Sequence, residues 1–326
     1  METGRAEFAV VIPLYDKRPY IVRAVESVLA QSHPATEIVV VDDGSSDGGG
    51  DEVRRRFPHV QVVNQSNAGV GAARNRGMSV TRSPWIALLD ADDYWSSDHL
   101  AELDRMVAHH PDAALLSTSW SRVPHGSARE LEASEQGRIE AIDYFLRAAR
   151  SGGPVWTSSA AVRRRAYEEV GGFGSARLGE DQEYWARLAL HGPVVVSSAV
   201  TAAYVRGVGS VTETARRSRT TTSIPASGGE ALPVLATVAT AMAEELEIVP
   251  YASLHAYWNA KLAGKAREAI SRAEVPRARA LTSFMTPPYT RQERHIRHLV
   301  RTPAPLIGAL ITSRQGLRSL LAIRSR

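Results

Sequence analysis

Trp85-Ile86-Ala87-Leu88-Leu89-Asp90-Ala91-Asp92-Asp93-Tyr94-Trp95 is a short apolar run that delivers three carboxylates at its carboxyl end. Burying a charge is costly, so a strand ends in clustered acids where a cation or a polar ligand meets them. Hard oxygen donors of this kind suit Mg²⁺ or Mn²⁺ holding a phosphate. Upstream, strand and helix signals alternate. Residues 8–12, 38–41, 60–63 and 85–89 are apolar runs of the buried-strand type, separated by helical patterns from Pro19 to Leu29, over 51–57 and over 70–80. This alternation predicts an α/β fold, a mostly parallel Rossmann-like sheet with helices on both faces. Ligands of such sheets bind beyond the carboxyl ends of the strands. Asp42-Asp43 follows the second strand and Asp90-Ala91-Asp92-Asp93 the fourth, so both acidic clusters fall on one edge.

Past residue 95 the pattern loosens. It predicts a helix over 98–109, a strand over 113–118, a hairpin or loop over 119–137 and a helix over 139–149. A strand over 155–162, helices over 163–170 and 181–190, and a strand over 194–205 follow. Residues 206–229 are rich in Gly, Ser, Thr and Arg, which marks a linker, and only helical patterns appear beyond. The expected organisation is a catalytic domain over 1–212, with a nucleotide-binding half to about 118 and an acceptor half from 119. A linker over 213–229 and a helical C-terminal region over 230–326 complete it.

The absence of cysteine excludes disulfides, thiolate metal sites and a Cys nucleophile. No apolar stretch approaches the roughly 18 residues that span a membrane, and the acidic first residues are not those of a signal peptide. A cytoplasmic location is expected, with a peripheral contact at the inner membrane face as an option for the tail. Residues 272–326 carry eleven Arg and two Glu, a balance of +9 against +4 for the whole chain, which leaves residues 1–271 at −5. Lysine occurs only at 17, 261 and 265. In the tail, Ile296, Leu299, Val300, Leu306, Ile307, Leu310 and Ile311 alternate with Arg and small residues. Two readings stay open: homodimer or intramolecular packing, and an amphipathic helix on a membrane surface. No nucleic-acid recognition motif accompanies the basic residues.

Asp90 and Asp92 are two apart, so in an extended segment their side chains share a side, and Asp93 points the other way unless the chain turns there. The competing reading of all three is a helix cap with surface acids. Asp42-Asp43-Gly44-Ser45 offers acceptors for a base or ribose, or an Asx turn. Gly69-Val70-Gly71-Ala72-Ala73-Arg74 approaches the dinucleotide fingerprint but has Arg74 in place of the third Gly. Arg74 can instead reach a phosphate or a carboxylate with both its nitrogens. Gly179-Glu180-Asp181 opens a helix, either as a simple cap or as a general base. Trp156, Trp185 and Tyr184 are candidate platforms for a sugar ring, or core.

As a set, these motifs resemble glycosyltransferase family two, with its GT-A nucleotide-sugar fold. The matching segments are Val10-Val11-Ile12-Pro13-Leu14-Tyr15-Asp16, Ser27-Val28-Leu29-Ala30-Gln31-Ser32, Val41-Asp42-Asp43-Gly44-Ser45-Ser46-Asp47 and Asn67-Ala68-Gly69 with Ala73-Arg74-Asn75-Arg76-Gly77. Leu89-Asp90-Ala91-Asp92-Asp93, Val170-Gly171-Gly172-Phe173 and Gly179-Glu180-Asp181 complete them, over about residues 7–212. The resemblance implies an inverting transferase that moves one sugar, a hexosyl or N-acetylhexosaminyl group, from a nucleotide-diphosphate sugar, expected to be UDP-linked. The acceptor would be a glycan, a lipid-linked molecule or a small molecule. It implies Pro13, Tyr15 and Asp43, with Arg74 and Asp90, at the nucleotide. It further implies Asp90 and Asp92 as the Asp-x-Asp motif, with Asp92 the ligand of Mn²⁺ or Mg²⁺, and Asp181 as the base beside Glu180. Trp156, Glu180 and Trp185 are expected at the acceptor or sugar.

Two departures accompany the resemblance. Many family members carry a His before a Ser-Val-Thr-like segment; here Tyr204-Val205-Arg206-Gly207-Val208-Gly209-Ser210-Val211-Thr212 has none, and Arg206 is an alternative diphosphate contact. The Gln-x-x-Arg-Trp motif of processive synthases is absent too, which favours single-sugar addition. A sugar nucleotidyltransferase would need a Gly-rich basic loop after the first strand, where Ile12-Pro13-Leu14-Tyr15 stands. A catalytically silent nucleotide-sugar-binding partner protein is the reading outside enzymes.

Overall fold

Alternate side chains of the first strand, β1 (Phe8–Leu14), take opposite faces of the sheet, and both faces are covered. A computed structural model of the protein describes residues 4–125, 131, 136–176, 179–207, 232–244, 249–272 and 274–301. Phe8, Val10, Ile12 and Leu14 join one core cluster with Ile21, Ala24, Val25 and Val28 of α1 (Arg18–Leu29), Val53 of α2 (Gly49–Arg56), and Leu100, Leu103 and Met106 of α4 (His99–His109). On the other face, Val39 and Val41 of β2 (Glu37–Asp42) pack on Ala73 of α3 (Val70–Val80). A Cβ on Gly77 would run into the side chain of Val11, so that helix lies close against β1 because Gly77 has none.

The order along the sheet is β3-β2-β1-β4-β8-β6-β9-β5, with β7 also pairing with β9. The strands not yet given are β3 (Gln61–Asn64), β4 (Trp85–Leu88), β5 (Tyr94–Trp95), β6 (Leu115–Pro124), β7 (Ile139–Ile142), β8 (Ala160–Arg163) and β9 (Val194–Arg206). β3, β2, β1 and β4 run parallel, so the turns after β1, β2 and β4 open on one edge. Beyond β4 the sheet is mixed: β8 is antiparallel to β4 and to β6, and β9 is parallel to β6. Helices α5 (Tyr144–Ser151), α6 (Arg164–Val170) and α7 (Glu180–His191) follow in chain order among the later strands.

Three local expectations are corrected. The helix expected over 139–149 is split: Ile139–Ile142 is a strand, recruited by antiparallel pairing with β9, and the helix begins at Tyr144. The strand expected over 155–162 is half a 3-10 turn, Thr157–Ser159, before β8 starts at Ala160. The stretch from 119, expected as hairpin or loop, continues β6 as far as Pro124 along β9.

The chain divides into two compact units, 1–144 with 153–219, and 145–152 with 220–326. The second is helical: α8 (Pro233–Ala243), α9 (Tyr251–Ser271), α10 (Val275–Ser283) and α11 (Arg291–Leu299). Phe145 meets Tyr257 edge-on at 5.4 Å in its core. Ile296 and Val300 are buried, and Arg279 and Arg297 donate to the carbonyls of Val300 and Thr282, so this part of the basic region packs within its unit. The apolar positions from 306 onward lie outside the described residues. No helix among the described residues is long and apolar enough to cross a membrane.

Candidate active site

The turn after β4 carries the acids to the open edge and fixes each differently. Asp90 accepts from Arg74 Nη2 at 2.7 Å, and its own N–H donates to Ser158 Oγ at 3.1 Å. Asp92 lies 3.0 Å from Lys17 Nζ, with the two side chains 16% and 20% exposed. Asp93 points inward from a tight turn at Ala91–Asp92, closed by its N–H donating to the Asp90 carbonyl at 3.0 Å, and not from the extended segment expected there. It accepts from Ser158 Oγ at 2.6 Å and from the Val205 N–H at 2.9 Å, which ties β9 and the 3-10 turn to the acid turn. Burial, with Asp92 and Asp90 adding repulsion, raises Asp93 well above the usual carboxylate range. Burial also raises Asp92, against the pull of Lys17.

Arg74 is the hub. Its guanidinium is buried, 2.7 Å from Asp90 and 3.4 Å from Glu180 Oε1, over the ring of Phe173 at 5.1 Å. Burial opposes its charge, but Asp90 and then Glu180 outweigh that and hold the guanidinium firmly protonated. Glu180 is raised by burial, opposed by Arg74. Next to Arg74, Asn75 accepts from the Phe173 N–H at 2.7 Å and donates to its carbonyl at 2.9 Å. This clip, with Phe173 packed on Tyr184 at 4.3 Å, seats α7 so that Glu180 and Asp181 open it beside Arg74. Gly179, at φ +80°, makes the sharp entry into that helix.

The turn after β2 is built otherwise. Asp43 is 2% exposed, and its carboxylate accepts from Gln65 Nε2 at 2.7 Å, the Ala68 N–H at 2.8 Å and the Gly69 N–H at 2.9 Å. It shapes the 65–69 turn and keeps one acceptor position, on Oδ2. Pro13 is buried within β1, and Tyr15, just past its end, is 49% exposed. Trp156 is partly buried and borders Tyr204 at 5.0 Å and Trp120 at 5.8 Å. Trp185 is corrected: at 1% exposure behind Phe173 it is core and offers no face to a sugar. Arg206 ends β9 exposed, and residues 208–212 lie outside the described part. Sequence reasoning missed Lys17 and Ser158 as partners of the acids; the isolated lysine in an arginine-rich chain was the available signal for the first.

Among the described residues no three His, Cys, Asp or Glu side chains form a group that could hold a metal ion alone. Mg²⁺ and Mn²⁺ are commonly held by one or two carboxylates with substrate phosphates and water, and Asp92 beside Asp90 fits that smaller donor set.

The family model "Glycosyl transferase family 2" matches residues 9–171. The uncharacterized glycosyltransferase YibD of Escherichia coli is 37% identical over 96 residues, 28% of either chain. The putative teichuronic acid biosynthesis glycosyltransferase TuaG of Bacillus subtilis is 38% identical over 96 residues, 28% of this chain and 38% of that one. The chain thus matches well under half the length of these relatives. The crystal structure of S. aureus TarS 1–349 in complex with UDP-GlcNAc superimposes with a TM-score of 0.63 at 17% identity, over 96% of this chain and 90% of that one. That likeness carries the mixed α/β architecture with the extra C-terminal helices.

Proposed function

The chain belongs to glycosyl transferase family 2, and from that premise we propose that it transfers one sugar from a UDP-linked donor to an acceptor hydroxyl, with inversion. The observation that carries the reading is Arg74, which joins the donor acid Asp90 to Glu180, the neighbour of the candidate base Asp181. Donor and base ends of a transferase must be held at one distance through turnover, and a buried two-sided guanidinium does this rigidly.

Tyr15 offers an exposed ring to the base, and the remaining acceptor position of Asp43 suits a base N–H. TarS, of the same architecture, binds UDP-GlcNAc, which supports a UDP-linked donor. Asp92, with Asp90, would hold Mn²⁺ or Mg²⁺; when bound, such an ion supplies neutralising charge to the leaving diphosphate. Asp181 accepts the proton of the acceptor hydroxyl as its oxygen bonds to the anomeric carbon, and the bond from that carbon to the diphosphate breaks on the opposite face. The nucleoside diphosphate leaves with the electron pair. Trp156 and Tyr204 border the acceptor side, and residues 1–212 make up the catalytic domain. The acceptor class is a glycan, a lipid-linked molecule or a small molecule.

Asp181→Asn tests the assignment. Sugar transfer should fall by about 10²–10⁴-fold, while calorimetry finds UDP affinity unchanged. Turnover at the unsubstituted rate would remove Asp181 from the base role.

A further inference from the structure

We propose that Lys17 is a built-in counter-cation for the donor's diphosphate, sharing Asp92 with the divalent ion and allowing nucleotide to bind without it. The inference rests on the donor reading above. Lys17 sits at the turn after β1 and caps α1, its carbonyl accepting from the N–H groups of Tyr20 at 2.9 Å and Ile21 at 3.0 Å. Its neighbours on both sides are tied down in another direction. Asp16 accepts from the Ser46 N–H at 2.8 Å and receives Ser46 Oγ at 3.2 Å, while its own N–H donates to Ser45 Oγ at 3.1 Å. The Arg18 N–H donates to Asp47 Oδ2 at 2.7 Å. Asp16 holds φ at +48°, the sole non-glycine positive φ among the described residues. A left-handed L-residue is unfavourable in itself and persists where its surroundings fix it. The result of the bend is that the Lys17 side chain turns toward the acid turn, 3.0 Å from Asp92 Oδ2.

The two cations of the site differ in what they can still do. Arg74 is buried between two carboxylates at 5% exposure. Lys17, at 20% exposure, stands at the mouth, and its ammonium has three donors in a compact charge, a form suited to phosphate. A diphosphate beside Asp92 would draw the ammonium in exchange with its present partners, Asp92 among them, while Nζ stays 5.6 Å over the Tyr20 ring. A divalent ion on Asp92 and the ammonium repel each other, so by linkage each weakens the other's hold by the same factor. Nucleotide binding should therefore need the metal little while Lys17 is present, and depend on it when Lys17 is gone.

Calorimetry with UDP in EDTA, on the full chain and on Lys17→Met and Lys17→Arg, tests this, with manganese electron paramagnetic resonance to count free Mn²⁺ in the presence of UDP. The unsubstituted protein should bind UDP in EDTA. Lys17→Met should lose about tenfold or more in EDTA, as expected for a charged hydrogen bond. It should recover with Mn²⁺ and bind Mn²⁺ more tightly, and Lys17→Arg should keep most of the metal-free affinity. Equal melting temperatures exclude misfolding as the cause. UDP binding only with Mn²⁺ in the unsubstituted protein, or Lys17→Met matching it in EDTA, overturns the role of Lys17 and leaves the donor reading standing. No UDP binding in either condition removes the donor reading and this inference with it.

Discussion

The two acidic strand ends look alike in sequence and are built on opposite principles. After β2, Asp43 is closed in by neutral donors, two main-chain N–H groups and one amide. After β4, Asp90 and Asp92 face charged partners, Arg74 and Lys17. Neutral donors in a buried turn have no better partner to move to, so Asp43 builds the loop that carries the site. Of these two cations Arg74 is buried between carboxylates, and Lys17 stands at the partly open edge, where an incoming anion can share it. The difference teaches that an acid cluster earns a ligand role from the charge of its neighbours more than from its own.

The largest break in that comparison should come at Asp43. Asp43→Ala leaves three donors unpaired in a buried turn, and chemical denaturation should show a loss of about 3 kcal/mol or more. A loss under 1 kcal/mol would mean that the turn does not depend on it. An intermediate effect should come from His99, fully buried, stacked on Trp95 at 4.1 Å and bonded to Thr201 Oγ1 at 2.7 Å. Burial pushes its imidazole down to about 3. Because its folded value lies below its unfolded one of about 6.5, the stability it permits is full above pH 6.5 and is lost as pH falls toward 3. The slope of unfolding free energy should approach about 1.4 kcal/mol per pH unit in that window, and His99→Phe should flatten it. Hydrogen exchange should quicken first around Trp95, next to the second acid cluster, and not around Asp43. The smallest effect should be at Asp92: Asp92→Asn breaks a partly exposed ion pair and should cost no more than about 1 kcal/mol in stability, while lowering metal-assisted transfer severely. Equal stability losses at Asp43 and Asp92 would erase the contrast.

What the sequence made legible follows from range. β1 and α3 could be read residue by residue, because a buried apolar run and a Gly-bounded helical pattern are local signals. The common edge of Asp43 and Asp90 followed from alternation alone. β5 is two residues long and β7 four; both exist by pairing with β9 from far along the chain, and no local pattern announces them. The same holds for the site. Asp90, Asp92 and Arg74 were visible as residue types at strand and helix ends. Whether Trp185 showed a face or a back depended on the Phe173 packing, and the contact of Lys17 with Asp92 depended on a bend at Asp16 fixed by residues about thirty positions away.

The clip between Asn75 and Phe173 has a consequence for how such a protein diversifies. The family match ends at residue 171, yet the candidate base lies at 181. Because Phe173 is gripped through its main chain at both N–H and C=O, its side chain needs only to fill the space against Tyr184 and Trp185. The helix α7, which carries the candidate base, is thus registered on α3 before the stretch 174–179 begins. Changes of length or composition ahead of Gly179 should therefore leave α7, and with it Glu180 and Asp181, in place, so the two sides of that clip can evolve on separate clocks.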